Sequence, residues 1–144
     1  MQLDETDHGL LDLLADNARS PVATLARKLG LARTTVQARL DRLEASGVIA
    51  GYTLRLSDAL RAPLRATALV SIEPRSAPAV LSRLKSLPGV RTVYTTSGRF
   101  DLIVGLEAET TEALDDTLDR IGETRGVKSS ESLIHLSTKL DRRR

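Results

Sequence analysis

The apolar residues change their period once, near Ile49, and that change splits the chain into two parts that must fold differently. Before it, apolar side chains recur every three or four residues, the spacing of amphipathic helices. After it they alternate or form short runs, the spacing of strands, interrupted by two helical stretches. A chain of 144 residues holds one ordinary domain or two small ones, and the change of period favours two. Apolar residues make up 41% of it, yet only Tyr52, Tyr94 and Phe100 are aromatic, so the cores are aliphatic. Aliphatic domains of ~60–80 residues are marginal alone, which favours oligomers.

In the first part, Asp4 caps a helix expected over residues 5–17, with Leu10, Leu11 and Leu14 on its apolar face. Ser20 as N-cap and Pro21 as first residue open a second helix. It carries Val22, Leu25, Ala26 and Leu29 and stops at Gly30. After the short turn Gly30-Leu31-Ala32, Val36, Leu40 and Leu43 mark a third helix that closes at Gly47. Two helices joined by a tight glycine turn have the layout of a helix-turn-helix. With Val36, Leu40 and Leu43 inward, Thr34, Thr35, Gln37, Ala38, Asp41 and Arg42 fall on the outer face or its flanks. Hydroxyls, an amide and an arginine there suit base edges and phosphates in a major groove.

Charge is segregated along the same part. Residues 1–18 contain five acids and no Lys or Arg, whereas residues 19–55 contain seven basic residues against Asp41 and Glu44, a balance of +5. A solvated helical surface explains that charge as well as nucleic acid does; the helices and turn beside it favour nucleic acid.

In the second part, residues 52–56 read as a linking strand and the Pro-containing stretch after them as a linker. Residues 65–73 form a strand, 77–86 a helix with Val80, Leu81 and Leu84, and 90–96 a strand. The order then repeats: strand 101–107, a helix capped by Thr110 or Thr111, and a last strand running to about Leu136. Gly89-Val90-Arg91 and Gly126-Val127-Lys128 occupy equivalent places. This is the βαββαβ layout of a ferredoxin-like sandwich, an α+β fold. Leu69 beside Val70, and Leu102-Ile103-Val104, put apolar side chains on both sheet faces, so the face without helices is expected to dimerise. The expected division is 1–57 for the helix-turn-helix domain with its strand, 58–64 for the linker, and 65–144 for the sandwich.

Leu3-Asp4, Asn17-Ala18-Arg19, Leu25-Ala26, Gly30-Leu31, Arg39, Arg42-Leu43-Glu44, Gly47-Val48-Ile49 and Gly51-Tyr52 resemble the N-terminal domain of Lrp/AsnC feast/famine regulators. The run from Leu40 to Tyr52 is the most specific part, and the resemblance extends over essentially the whole chain. It implies a winged helix-turn-helix in which Arg33, Thr34, Thr35, Gln37, Ala38, Arg39 and Arg42 contact double-stranded DNA. It also implies a homodimer, with an octamer as a larger form, that responds to a small effector, commonly an amino acid. The family's Gly-x-x-Asp is matched by Gly98 and Asp101 in the turn Ser97-Gly98-Arg99-Phe100-Asp101, and its last strand points to Ser132 and Ile134 as further effector contacts. From the residues alone that turn is equally a plain hairpin. Ala32 departs from the family's usual serine. As a poorer N-cap by ~1 kcal/mol it leaves the third helix open to a shift toward Thr34.

Two other functions compete with this one: a nucleoid-architectural protein that wraps DNA with little sequence preference, and an enzyme resembling sirohaem decarboxylases. His8 and His135 lie in different modules without the spacing of a metal pair or a triad, and there is no cysteine. No metal, cofactor or catalytic residue is therefore expected. With neither a membrane span nor a signal-like N-terminus, the expected location is the cytoplasm.

Overall fold

The computed structural model describes residues 1–142, in which residues 1–55 and 56–141 form two compact units. The first contains α1 (Glu5–Asp16), α2 (Val22–Leu29) and α3 (Arg33–Ala45). Asp4 and Asp7 close α1 as a reciprocal capping box: each carboxylate accepts the other's backbone N–H, at 2.8 and 3.2 Å. Pro21, not Ser20, is the N-cap of α2. The Ser20 N–H is committed to the Asn17 carbonyl, and the Pro21 carbonyl accepts from Thr24 and Leu25. Gly30 ends α2 in the left-handed region, at φ 67°, which a residue with a Cβ adopts only under strain.

α3 begins at Arg33 although Ala32 supplies no side-chain cap, so the shift toward Thr34 does not occur. The Val36 N–H still bonds the Ala32 carbonyl, and burial of Val36, Leu40 and Leu43 against Leu10, Leu14, Leu25 and Ala26 holds the helix in register. Packing of an apolar face outweighs one missing cap.

The linking strand expected at 52–56 is not formed. Residues 51–57 are unpaired, with Leu54 78% exposed, and no wing strand exists among the described residues of this unit. Alternation favours extended backbone, but a strand also needs a neighbour to take its N–H and C=O groups. Tyr52 instead donates its hydroxyl to Glu44 on α3, at 2.7 Å.

The second unit follows the expected order: β1 (Leu64–Ile72), α4 (Ala77–Ser86), β2 (Val90–Thr95), β3 (Leu102–Ala108), α5 (Thr111–Gly122) and β4 (Val127–Ile134). The strands lie in the order β2-β3-β1-β4, antiparallel throughout, which is the ferredoxin-like arrangement. Thr110 caps α5 through the Ala113 N–H. Ala66, Ala68, Val70, Leu102, Val104 and Leu106 face the helices and close a core with Val80, Leu84, Leu114 and Ile121. Each such aliphatic side chain of Val size or larger contributes roughly 1.5–3 kcal/mol by leaving water. The opposite face carries no helix. There the register sets Tyr94, Ile103 and Leu69 in one row, with Leu133 in the next beside Thr67.

Candidate functional site

α3 stands on its buried Val36, Leu40 and Leu43, which turns Arg33, Thr34, Thr35, Gln37 and Ala38 to the surface. Thr34, Thr35, Ala38, Arg39 and Arg42 together line a shallow concavity. Gln37 donates its amide to Asp41 one turn on, at 2.8 Å.

Arg39 and Arg42 are differently placed from the other predicted DNA contacts, because both are ion-paired to the start of α1. Arg39 Nη1 reaches Asp4 and Asp7 at 2.8 Å, and Arg42 Nη2 reaches both oxygens of Asp7 at 2.7 Å. Asp7 is only 1% exposed. Burial works to raise its pKa, but the Asp4 backbone N–H and the two guanidiniums outweigh that and hold the carboxyl below its ordinary value. Asp4 is lowered too, chiefly by the Arg39 hydrogen bond, and Arg39 is raised in return by Asp4 and Asp7. The sequence pattern points to Asp4 as an N-cap and to Asp7 only as an acid near the positive end of α1; neither arginine partner is legible from it. A trace of the pairing is the separation of acids before residue 19 from bases after it.

In the second unit, the connection between β2 and β3 is bound back onto β1. Thr96 N–H bonds the Asp101 carbonyl, Asp101 N–H bonds the Val70 carbonyl, and Asp101 Oδ2 accepts the Ile72 N–H at 2.9 Å. Gly98 has φ 127°, and a Cβ built there would meet nothing within 4 Å. Arg99 lies over the Phe100 ring, 4.9 Å from its centroid, and 3.7 Å from Glu131 on β4. A second acid, Glu131, therefore stands beside this turn with Asp101, and no local pattern could reveal a contact made across the sheet.

Ser132 and Ile134 do not join that group. They pair with Ala68 and Ala66, whose side chains face the helices, whereas Glu131 pairs with Leu69 on the helix-free face. Within one chain the structure therefore brings Ser97–Asp101 together with Glu131 and sets Ser132 and Ile134 on the other side of β4. His135 is hydrogen bonded to Thr67, at 2.8 Å. Among the described residues no cluster of His, Asp or Glu gathers at metal-binding distances, and no helix is long and apolar enough to cross a membrane.

Residues 3–44 match the AsnC-type helix-turn-helix domain and residues 65–144 match the Lrp/AsnC ligand binding domain. The chain belongs to the Lrp/AsnC family. It is similar to the HTH-type transcriptional regulator FL11 of Pyrococcus horikoshii, with 31% identity over 94% of this chain and 91% of the relative. It is also similar to the regulator LysM of Saccharolobus solfataricus, with 29% identity over 94% and 95%. The structure of E. coli AsnC superposes with a TM-score of 0.90 at 26% identity, covering 99% of this chain and 98% of that one. A Neisseria meningitidis regulator solved with L-Met shares the fold, with a TM-score of 0.88 at 24% identity over 97% and 94%. Like its Lrp/AsnC relatives, this protein is a transcriptional regulator with a helix-turn-helix DNA-binding domain and a ligand-binding domain, and not an enzyme.

Proposed function

We propose that this regulator is cytoplasmic, places α3 in the major groove of specific promoter sequences, and couples that binding to a small effector, an amino acid. The observation that carries the proposal is the exposed face of α3, polar and ordered on a buried aliphatic base inside an AsnC-type helix-turn-helix. Thr34, Thr35, Gln37 and Ala38 are the groups for base edges, Arg33 for phosphate at the helix start, and Arg39 and Arg42 for the groove margin. The protein acts as a homodimer through the helix-free sheet face, where Tyr94 and Leu133 are 61% and 52% exposed. An octamer is the larger assembly of the same dimers. The effector is bound at the turn Ser97, Gly98, Arg99, Phe100 and Asp101, whose N–H groups suit a carboxylate. Ser132 and Ile134 enter that site only from a different subunit, because they stand across β4 from the turn of their own chain.

The test is selection of a binding sequence from random duplexes, followed by titration with Thr35→Ala and Gln37→Ala. Each should lose about 1–3 kcal/mol on the selected site at the base it contacts. Equal affinity of the wild type for all sequences, with no response to any amino acid, would favour the architectural function instead.

A further inference from the structure

Arg39 and Arg42 line the concavity of α3, yet each already holds a carboxylate. Two guanidiniums and two carboxylates leave the group with no net charge. Each arginine spends one nitrogen on it, Nη1 of Arg39 and Nη2 of Arg42. A cation that pairs freely with DNA phosphate releases counterions and gains affinity for DNA of any sequence. A cation that must share or exchange an existing partner gains less. Asp7 is also a partner that water cannot easily replace, because it is buried and would be left uncompensated if both arginines turned away.

We propose that Asp4 and Asp7 are specificity-determining residues of the DNA-binding domain. They offset the charge of Arg39 and Arg42, so that α3 does not hold arbitrary DNA through its phosphates and discrimination falls to Thr34, Thr35, Gln37 and Ala38. This rests on the assignment of α3 to the groove. It adds a function for the start of α1, which makes no DNA contact of its own in this proposal.

Asp4→Asn is the informative variant, because Asn is as good an N-cap as Asp and keeps the bond from the Asp7 N–H while losing the charge. The full-length protein is titrated with random-sequence duplex DNA over a range of salt, alongside Arg33→Gln and the double variant Asp4→Asn/Arg39→Gln. Asp4→Asn should bind this DNA more tightly at low salt, with a salt slope steeper by up to about 0.9. Across a fourfold rise in salt that is a roughly threefold larger loss of affinity. The double variant should return to the wild-type slope, which a purely structural role for Asp4 would not produce. Arg33→Gln should make the slope shallower. If it does so while Asp4→Asn leaves the slope unchanged or shallower, α3 is at the DNA and the proposal is overturned. If neither variant changes the slope, α3 is not the DNA-binding element and both assignments fall. Asp7→Asn is a second arm wherever circular dichroism shows that it folds, with the same expected direction.

Discussion

Asp7 serves two roles with one carboxylate, as half of the α1 capping box and as the anchor for both α3 arginines. Asp4 and Asp7 titrate below their ordinary value of 3.8 in the folded protein, so each adds stability that is fully present above that value. That stability is lost as pH falls through the lower, folded-state pKa. Melting temperature against pH should therefore fall more steeply in acid for the wild type than for Asp4→Asn, and the two curves should converge at the acid end. Parallel curves would show that the pairs contribute nothing. At the other site, Gly98 adopts φ 127°, so Gly98→Val costs about 1–3 kcal/mol of backbone strain without a clash inside the chain. Asp101→Ala removes the acceptor of the Ile72 N–H, worth about 0.5–1.5 kcal/mol in stability. If the turn is the effector site, both variants should keep their DNA affinity and lose its change on adding the effector. Paired DNA titrations with and without the effector check this, and an unaltered response would reduce the turn to a hairpin.

At the level of elements, α3 shows how packing and capping divide the task of starting a helix. Ala32 has φ −69° and ψ 147°, a backbone that a capping serine adopts without change. Ala32→Ser should therefore stabilise the N-terminal unit by ~1 kcal/mol, measured by urea denaturation, by giving an orphan N–H of the first turn an acceptor. Leu43→Ala acts in the opposite sense. It empties a fully buried position at the contact with α1 and α2 and should cost about 2–5 kcal/mol. In the sandwich, Gly89 and Gly126 occupy equivalent turns of the two halves for a shared reason. A Cβ on Gly89 would lie 2.8 Å from Thr117 Oγ1 of α5, and one on Gly126 would lie 2.6 Å from Ser76 Cβ before α4. Each half thus leaves room for the helix of the other.

At the scale of the whole molecule, the sheet carries helices on one face only, and the other presents Leu69, Ile103, Tyr94 and Leu133 in adjacent rows. An apolar patch of this kind favours burial against a partner. Leu69→Glu in the full chain should place a charge in the middle of that patch and give a folded monomer at micromolar concentration by light scattering. A persistent dimer would move the interface elsewhere.

Periodicity was enough to read the three helices and the doubled βαβ of a ferredoxin-like sandwich, because 3.6 and 2 are properties of the local backbone, and burial of Val36, Leu40 and Leu43 follows from them. With apolar side chains on both faces of β1, only the packed helices decide that Ala66, Ala68 and Val70 are the buried ones. Gly30 was legible for the same reason, since caps act within a few residues, but the pattern left the α5 cap open between Thr110 and Thr111 and put the α2 cap at Ser20, one residue before Pro21. The larger failures share a different cause. Residues 52–56 have the alternation of a strand and no neighbour to pair with. Arg39 and Arg42 look like free cations until α1 brings Asp4 and Asp7 to them from more than thirty residues away. Glu131 joins the turn, and Ser132 and Ile134 leave it, through the strand order and register of β4. Which residues meet across elements is decided by the packed fold, because ion pairs and ladder partners are set by distance in space rather than by spacing along the chain.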